Sequence, residues 1–308
     1  MKILITGGTG FVGKTLIPEL YNSGYTDICL LVRNVTKANR LFAGVRLSII
    51  DSNDTAWRKN IIAYNPDVVI HLATCPNHHN DALSVQQVVE TNLLFTSLVA
   101  EAVSQTDCKY FINTGTFTEF FTGDVESKND TRTEYYPNNF YSASKTATRA
   151  LLNFWQKVGK WKWINVIPYS PYGRYNETTK VFDLIYRSIS SKYPIKLSEG
   201  KQILDFIHVD DIARFYTVLL NHLQDITDDY TQLYLGSGIG HSLRDVASSM
   251  EKITKKKVKV EWGALAYRPM DTMYAIAPIE KNPSWFSWRA KIGIEEGIQI
   301  YIDDVTGR

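Results

Sequence analysis

The sequence predicts an α/β fold in which a doubly wound parallel sheet carries a smaller, discontinuous C-terminal lobe. In the first half of the chain, short runs of Val, Ile and Leu alternate with helical patterns, which is typical of parallel strands covered on both faces. A glycine-rich turn follows the first run, and the alternation loosens after Tyr169. Right-handed crossovers then give the doubly wound order.

Each predicted element rests on its own apolar pattern. Six strands of the first half are predicted as short runs bounded by turn residues, at 2–6, 28–32, 46–50, 67–72, 110–114 and 163–168. Four helices between them are predicted from 3.6-residue periodicity, at 13–23, 55–64, 84–105 and 141–157. Later helices are expected at 180–191 and 210–223, and a strand at 232–235 is expected to rejoin the sheet.

Composition excludes several classes of function. The chain has 308 residues, 44% of them hydrophobic, which is enough for a substantial core. Its net charge of +2 argues against a nucleic-acid-binding surface. Cys29, Cys75 and Cys108 lack metal-site spacing, so we expect a reduced, cytoplasmic protein without a metal. No apolar run approaches the ~20 residues that span a bilayer, so no membrane partner is expected.

The first motif is a glycine loop. Gly7, Gly10 and Gly13 fit G-x-x-G-x-x-G between the first strand and the first helix. In a dinucleotide-binding turn these glycines allow the tight turn, the approach of the backbone to a pyrophosphate, and close packing of helix on strand. A structural glycine turn is the alternative. The residues expected to hold the dinucleotide are Gly7, Thr9, Gly10, Phe11, Val12 and Gly13.

The end of the second strand predicts which dinucleotide is bound. Enzymes that use NAD place an acidic residue ~20 positions past the loop, where it binds the ribose 2′-hydroxyl. Here that position is Arg33, followed by Asn34. A guanidinium pairs with a 2′-phosphate, so the sequence favours NADP(H), although a solvated charge at a strand end is the alternative.

The catalytic group is predicted from a helix face and a strand end. Tyr141 and Lys145 are four residues apart and share one face of a helix. An ammonium beside a phenol lowers the phenol's pKa from about 10, which suits an acid or base near neutral pH. Thr116 follows the fifth strand, at the edge where such sheets bind ligands. A Tyr-x-x-x-Lys pair is common by itself, but with the glycine loop these three residues predict catalysis.

These motifs predict two domains. Residues 1–170 and 205–237 form the dinucleotide-binding domain, and residues 171–204 and 238–308 form the substrate-binding lobe.

At this point the chain resembles the extended short-chain dehydrogenase/reductase family, in its nucleotide-sugar-modifying branch. The motifs that carry the resemblance are TGGTGFVG at 6–13, FIHVDDIA at 206–213, YLGSG at 234–238 and RPMD at 268–271. Within the branch, NTGTF at 113–117 and LSEGKQ at 197–202 are similar to enzymes of the CDP-abequose synthase type. The resemblance implies a Rossmann fold, an NADPH-dependent reduction of a 4-keto-6-deoxy nucleotide sugar, and a homodimer.

The resemblance also implies roles for single residues. Besides the loop, Arg33 and Asn34, those implied to contact the cofactor are Asp51, Leu72, Ala73, Thr74, Asn92, Thr114, Tyr141, Lys145, Pro168 and Ser170. Those implied to contact the substrate are Thr116, Phe117, Lys180 and Arg268. The helices at 84–105 and 141–157 correspond to those that pair in dimers of the family, although their apolar stripes fit packing on the sheet equally well.

Departures from the family narrow the reaction. Dehydratases of the branch carry an acid pair directly after the catalytic Thr, where this chain has Phe117 and Thr118, and Glu119 comes one position late. Leu204 replaces an Arg that binds phosphate, and Ser170 replaces an Asn. The expectation is therefore a reductase. The alternatives are a 4-epimerase that keeps NAD bound and, at low weight, a non-catalytic NADP-binding sensor.

Overall fold

Seven parallel strands form the central sheet, because each is an apolar run that the flanking helices bury. The computed structural model describes residues 1–77, 79, 81–120, 135–174 and 180–307. The strands are β1 (Ile3–Thr6), β2 (Ile28–Val32), β3 (Ser48–Asp51), β4 (Val68–His71), β5 (Tyr110–Thr114), β6 (Lys162–Pro168) and β7 (Tyr230–Leu235). Their order is β7-β6-β5-β4-β1-β2-β3. The predicted doubly wound sheet is thus confirmed, and the late strand does rejoin it beside β6.

Helices cover both faces of the sheet. They are α1 (Phe11–Asn22), α2 (Val35–Leu41), α3 (Trp57–Tyr64), α4 (Ala82–Val88), α5 (Thr96–Val103), α6 (Phe140–Gly159), α7 (Val181–Ser188), α8 (Val209–Asn221), α9 (Leu243–Thr254) and α10 (Ile294–Thr306). The core on one face includes residues of α1 and α8, and the core on the other includes residues of α3, α5 and α6.

The helix predicted at 84–105 is wrong as a single α-helix. A π-helical turn, Val89–Phe95, joins α4 to α5. Such a turn accommodates an extra residue and rotates the side chains that follow it, which apolar periodicity cannot distinguish from a continuous helix. The turn carries Asn92, and it lies against α6.

The strand order reverses direction at β1, so the connections on its two sides lead to opposite faces of the sheet. β1 pairs with β2 on one side and β4 on the other, with Thr6 opposite His71. His71 Nδ1 lies 2.8 Å from Thr6 Oγ1, and its Nε2 lies 2.9 Å from Thr96 Oγ1. Burial lowers the pKa of His71 to about 3, so it is a neutral crosslink. Parallel α/β sheets bind ligands at such a reversal.

The later part of the chain builds a second apolar cluster between α7, α9 and α10. Short strands support it: Ile195–Leu197 pairs with Val260–Trp262, and Ile203–Asp205 lies between Gly240–Ser242 and Tyr274–Ala275. Phe286 and Trp288, in the range predicted for the smaller lobe, instead pack edge-on against Phe215 of α8 in the core beneath the sheet.

Candidate active site

The glycine loop leaves the start of α1 open. Gly7 has φ +68°, and a Cβ there would lie 2.5 Å from the amide nitrogen of Ala73. A Cβ at Gly13 would overlap the Gly8 backbone, so α1 approaches the loop closely only because residue 13 is glycine. Gly10 caps α1 without a side-chain hydrogen bond. The first amides of the helix therefore have no side-chain acceptor, as in an anion site. Thr9, Phe11 and Val12 are partly exposed around this opening.

The predicted 2′-phosphate site lies at the ends of β2 and β3. Arg33 is exposed directly after β2. Asn34 caps α2, with Oδ1 accepting from the amide of Lys37 at 2.8 Å. The side-chain amide of Asn53 donates to the Arg33 carbonyl at 2.7 Å and to Asp51 Oδ1 at 2.8 Å. Arg33, Asn34 and Asp51 are thus brought together, with Asp51 on the adjacent strand end.

The segment after β4 is fastened by Asn92 of the π-helical turn. Asn92 Oδ1 accepts from the Cys75 amide at 2.8 Å and from Thr74 Oγ1 at 3.2 Å. Its Nδ2 donates to Ser144 Oγ of α6 at 2.9 Å. The same segment begins at Leu72 and Ala73, whose backbone lies against Gly7. Asn92 therefore joins the loop beside the glycine turn to α6.

Tyr141, Lys145 and Thr116 lie where α6 crosses the ends of the strands. Asn139 caps α6, with Oδ1 accepting from the amide of Ser142 at 2.8 Å. Lys145 is 4% exposed, and its Nζ donates to the carbonyl of Thr114 at 2.9 Å. Thr116 follows β5 and is also buried. The side chain of Thr114 lies 2.6 Å from Tyr216 Oη of α8, which fixes the end of β5.

The pKa of Tyr141 differs from the value that the sequence predicts. Burial lowers the pKa of Lys145 to about 8, although the Glu119 carboxylate opposes the shift. Burial raises the pKa of Tyr141, Glu119 and Cys75 add to the increase, and a hydrogen bond with Thr74 reduces it. The prediction that the phenol has a lowered pKa is therefore wrong for this structure, because loss of solvation outweighs the other effects. Tyr141 keeps its proton through neutral pH.

A chain of hydroxyl groups, not predicted from the sequence, leads from Thr116 towards the smaller lobe. Thr116 Oγ1 lies 3.0 Å from Thr118 Oγ1, and Ser142 Oγ donates to the latter at 2.6 Å. Ser142 Oγ also lies 3.2 Å from Asn138 Oδ1, and Asn138 Nδ2 donates to Thr272 Oγ1 at 3.0 Å. In the sequence, Ser142 directly follows Tyr141 at the predicted start of a helix, and this position is the feature from which its part in the chain could have been inferred.

Glu119 is not placed as a proton donor to substrate. It is fully buried, its Oε1 accepts from the amide of Thr116 at 2.8 Å, and its Oε2 accepts from Arg149 Nε at 2.5 Å. An acid that expels water needs access to the leaving hydroxyl. The geometry agrees with the absence of an acid pair after Thr116.

The remaining residues predicted to contact the cofactor or the substrate lie on several elements. Phe117 stacks on Tyr169, 5.3 Å between ring centroids, and Pro168 and Ser170 flank that tyrosine. Lys180 lies at the start of α7 with Nζ 4.9 Å from the Phe11 ring centroid, so it reaches the glycine loop. Arg268 is exposed and lies four residues before Thr272.

Asp205, directly before FIHVDDIA, and Asp211, within it, both accept hydrogen bonds from backbone amides. Asp205 accepts from the amides of Ser237, Gly238 and Ala277 at 2.9, 2.8 and 3.1 Å. Asp211 accepts from the amide of Ile292 at 2.8 Å. Within the described ranges, no group of three or more His, Cys, Asp or Glu could hold a metal. In that same part of the chain, no helix is both long and apolar enough to cross a membrane.

Comparison with known proteins identifies the family. The model of the NAD dependent epimerase/dehydratase family matches residues 3–231. A CDP-abequose synthase of Yersinia pseudotuberculosis is 26% identical over 300 residues, covering 95% of this chain and 96% of the relative. A UDP-glucose 4-epimerase of Bacillus subtilis is 26% identical over 335 residues, covering 96% and 94%. The structure of a UDP-glucuronic acid 4-epimerase from Bacillus cereus, solved with UDP-glucuronic acid and NAD, is similar at a TM-score of 0.85 and 21% identity, covering 100% and 99%. The chain therefore belongs to the NAD dependent epimerase/dehydratase family and has the Rossmann fold of the extended short-chain dehydrogenases/reductases.

Proposed function

We propose that this protein is an NADPH-dependent reductase of the C4 ketone of a 4-keto-6-deoxy nucleotide sugar, CDP- or dTDP-linked. The observation that carries the proposal is Arg33, which is exposed at the end of β2 where enzymes that bind NAD carry an acid, because a net reduction consumes NADPH. The segment that holds Thr116 lies beside the helix α6, which bears Tyr141 and Lys145. A phenol beside an ammonium can give its proton to a ketone oxygen.

The chain offers a fitting site for NADPH, whose nicotinamide supplies the hydride. The open first turn of α1 would bind the pyrophosphate, since Gly10 presents no side chain there. Arg33 would bind the 2′-phosphate, assisted by Asn34, and Asp51 would contact the adenine. The other positions that we assign to the cofactor are Leu72, Ala73, Thr74, Asn92, Thr114, Pro168 and Ser170.

The proposed reaction needs positioning and one proton donor. Thr116 holds the ketone oxygen by a hydrogen bond. Tyr141 gives its proton to the same oxygen as the carbonyl carbon takes up the hydride, so the ketone becomes a secondary alcohol. Lys145 stabilises the resulting phenolate and binds the nicotinamide ribose. The two positions directly after Thr116 are Phe117 and Thr118, and neither side chain can protonate a leaving hydroxyl.

We assign substrate binding to the lobe formed by residues 171–204 and 238–308. Lys180 and Arg268 are the cations assigned to the diphosphate, and Phe117 is assigned to the sugar. The relative from Yersinia supports this substrate class, because its name is that of a CDP-sugar-forming enzyme.

A homodimer in the cytoplasm, without nucleic acid or membrane, completes the proposal. Large apolar side chains are exposed on two neighbouring elements, Leu94 on the π-helical turn and Phe154 and Val158 on α6. A second copy of the chain would cover them.

A 4-epimerase that retains NAD is the second candidate. It is favoured by the Bacillus subtilis relative, which carries the name UDP-glucose 4-epimerase at the same 26% identity. An epimerase keeps NAD bound, whereas the exposed Arg33 at the end of β2 favours NADPH. The two candidates differ in whether NADPH is consumed.

Stoichiometry distinguishes them. The protein is incubated with CDP- or dTDP-4-keto-6-deoxyhexose and NADPH deuterated at C4 of the nicotinamide, and the product is analysed by mass spectrometry and NMR. We expect one NADPH consumed per sugar and deuterium at C4 of a 6-deoxyhexose. If no keto sugar consumes NADPH while a nucleotide hexose is converted to its C4 epimer, the enzyme is an epimerase.

A further inference from the structure

We infer that the buried ion pair of Glu119 and Arg149 positions Thr116 for the proposed reduction. The inference rests on the proposed function, because Thr116 is the residue assigned to the ketone oxygen. Both residues are then positioning residues, since neither touches substrate. Glu119 is 0% exposed and Arg149 4%.

The first step is the hold of Glu119 on the backbone of Thr116. Glu119 Oε1 accepts from the Thr116 amide at 2.8 Å. Glu119 is the last residue of a short 3-10 turn, Phe117–Glu119, that comes directly after Thr116. Thr116 Oγ1 in turn accepts from the Thr118 amide at 3.4 Å. A Cβ on Gly115 would lie 2.6 Å from Glu119 Oε1, so the carboxylate fits beneath the loop because residue 115 is glycine.

The second step is the anchor of Glu119 to the rest of the fold. Arg149 Nε donates to Glu119 Oε2 at 2.5 Å. Arg149 Nη1 donates to the phenol of Tyr230 at 2.9 Å and to Gln232 Oε1 at 2.8 Å, both on β7. The pair therefore ties the loop after β5 to α6 and to the edge strand of the sheet.

The third step is the electrostatic reach of the pair. Tyr141, Lys145 and Arg149 follow one another at four-residue spacing, so they share one face of α6. The charge of Glu119 raises the pKa of both Tyr141 and Lys145. One carboxylate thus contacts or influences all three proposed catalytic residues. The other titratable groups that interact with these residues are Cys75 with Tyr141, His71 with Lys145, and Tyr135 and Tyr230 with Arg149.

Packing alone gives no reason for a charged pair here. Two buried ions lose their solvation, and apolar side chains of similar volume are often at least as stabilising. A carboxylate, however, has two oxygens, and here one accepts from Thr116 and the other from Arg149. Glutamine at this position has one acceptor and one donor, so it loses one of the two contacts.

Glu119→Gln is the decisive variant, and Asp211→Asn is its matched control. Asp211 is also fully buried, accepts backbone amides and pairs with an arginine, Arg214, but it lies on α8 and fastens Lys291 and Ile292. We expect Glu119→Gln to lower kcat on the order of tenfold or more, since a small displacement of a reacting group has effects of that size. The KM for NADPH should change by less than about twofold, because the residues assigned to the pyrophosphate and the 2′-phosphate lie at the start of α1 and the end of β2, away from the lost contact.

The pH profile separates positioning from a general loss of stability. Without the Glu119 charge, the pKa of Lys145 falls, so the alkaline limb of kcat should move to lower pH in Glu119→Gln. Asp211→Asn should lower the melting temperature and leave kcat and the limb unchanged. Arg149→Lys should retain more activity than Arg149→Met. If Glu119→Gln keeps the wild-type kcat and limb, the inference is wrong.

A direct titration keeps the test independent of the reaction. The pKa of Lys145, about 8, is followed by NMR of lysine labelled at the ε-carbon, with Lys145→Met to assign the signal. A wild-type protein that turns over no nucleotide sugar refutes the proposed function. In that case a lower Lys145 pKa in Glu119→Gln still supports the inferred reach of the pair, and an unchanged one refutes it.

Discussion

The Tyr141 hydroxyl carries the proposed proton transfer, and it can be removed without changing the shape of the side chain. We expect Tyr141→Phe to lower kcat by about 10²–10⁴-fold, the usual contribution of a general acid. Binding of NADPH, measured by fluorescence, should survive. Tyr193→Phe is the control, because that tyrosine is 68% exposed in the other lobe. A Tyr141→Phe variant with more than about half of the wild-type rate would assign the proton to another group.

Arg33 is expected to decide the choice of cofactor. NADPH should bind at least about tenfold more tightly than NADH, because an exposed guanidinium at the end of β2 pairs with the 2′-phosphate. Arg33→Asp should abolish or reverse this preference, whereas Arg46→Asp, at another exposed arginine before β3, should not. Equal dissociation constants for the two cofactors in the wild-type protein would contradict the prediction.

Burial of the Lys145 ammonium should lower the free energy of unfolding at neutral pH. Its pKa is lowered from 10.5 to about 8, so between these values the unfolded chain binds more protons than the folded one. The free energy of unfolding should therefore rise as the pH increases from about 8, and activity should fall over the same range as the ammonium loses its proton.

Replacing Lys145 by an apolar residue tests how much its buried ammonium lowers the free energy of unfolding. We expect Lys145→Met to raise the free energy of unfolding at pH 7 by roughly 2 kcal/mol, the gain from removing the shift less about 1 kcal/mol for the hydrogen bond to Thr114. Activity should be lost in the same variant. Urea unfolding at several pH values measures both effects, and a variant less stable than wild type at pH 7 would show that the burial of Lys145 is compensated.

At the scale of elements, short strands and the residues after them were predictable, and joints within helices were not. The runs at β1, β2, β4, β5 and β6 are apolar and bounded by turn residues, so their ends, and with them the site, follow from the sequence. The π-helical turn at Val89–Phe95 leaves no trace in the periodicity. The partnership of Glu119 with Arg149 joins residues thirty positions apart and depends on tertiary packing.

The π-helical turn gives an element-scale prediction through Asn92. This side chain satisfies the Cys75 amide and Ser144 Oγ in the buried space between the loop after β4 and α6. Asn92→Ala should lower the free energy of unfolding by about 2–3 kcal/mol, because buried polar groups lose their partners. Gln86→Ala, which removes an exposed contact between Gln86 of α4 and Glu90 of the π-helical turn, should have little effect. Urea denaturation of both variants checks this, and equal losses would contradict it.

At the scale of the whole molecule, the residues of the proposed site lie along the carboxyl edge of one parallel sheet. Gly7 follows β1, Arg33 follows β2, and Thr116 follows β5, so residues far apart in sequence meet there. This is why the proposed cofactor residues can be identified from the sequence alone. The proposed substrate side includes loops such as that of Arg268, whose position depends on tertiary packing, and a motif alone does not give that position.

The oligomeric state is also a property of the whole molecule. Phe154 and Val158, one turn apart on α6, are 59% and 48% exposed, and Leu94 on the neighbouring π-helical turn is 54% exposed. Apolar surface of this kind stabilises association by about 25 cal/mol per Å² removed from water, which favours a second copy against this face. We expect the wild-type protein to sediment as a dimer, and Phe154→Glu with Val158→Glu to sediment as a folded monomer with an unchanged circular dichroism spectrum. Tyr193→Glu, at a tyrosine of the other lobe that is 68% exposed, should remain dimeric. A wild-type monomer at micromolar concentration, or a double variant that stays dimeric, would place the interface elsewhere or remove it.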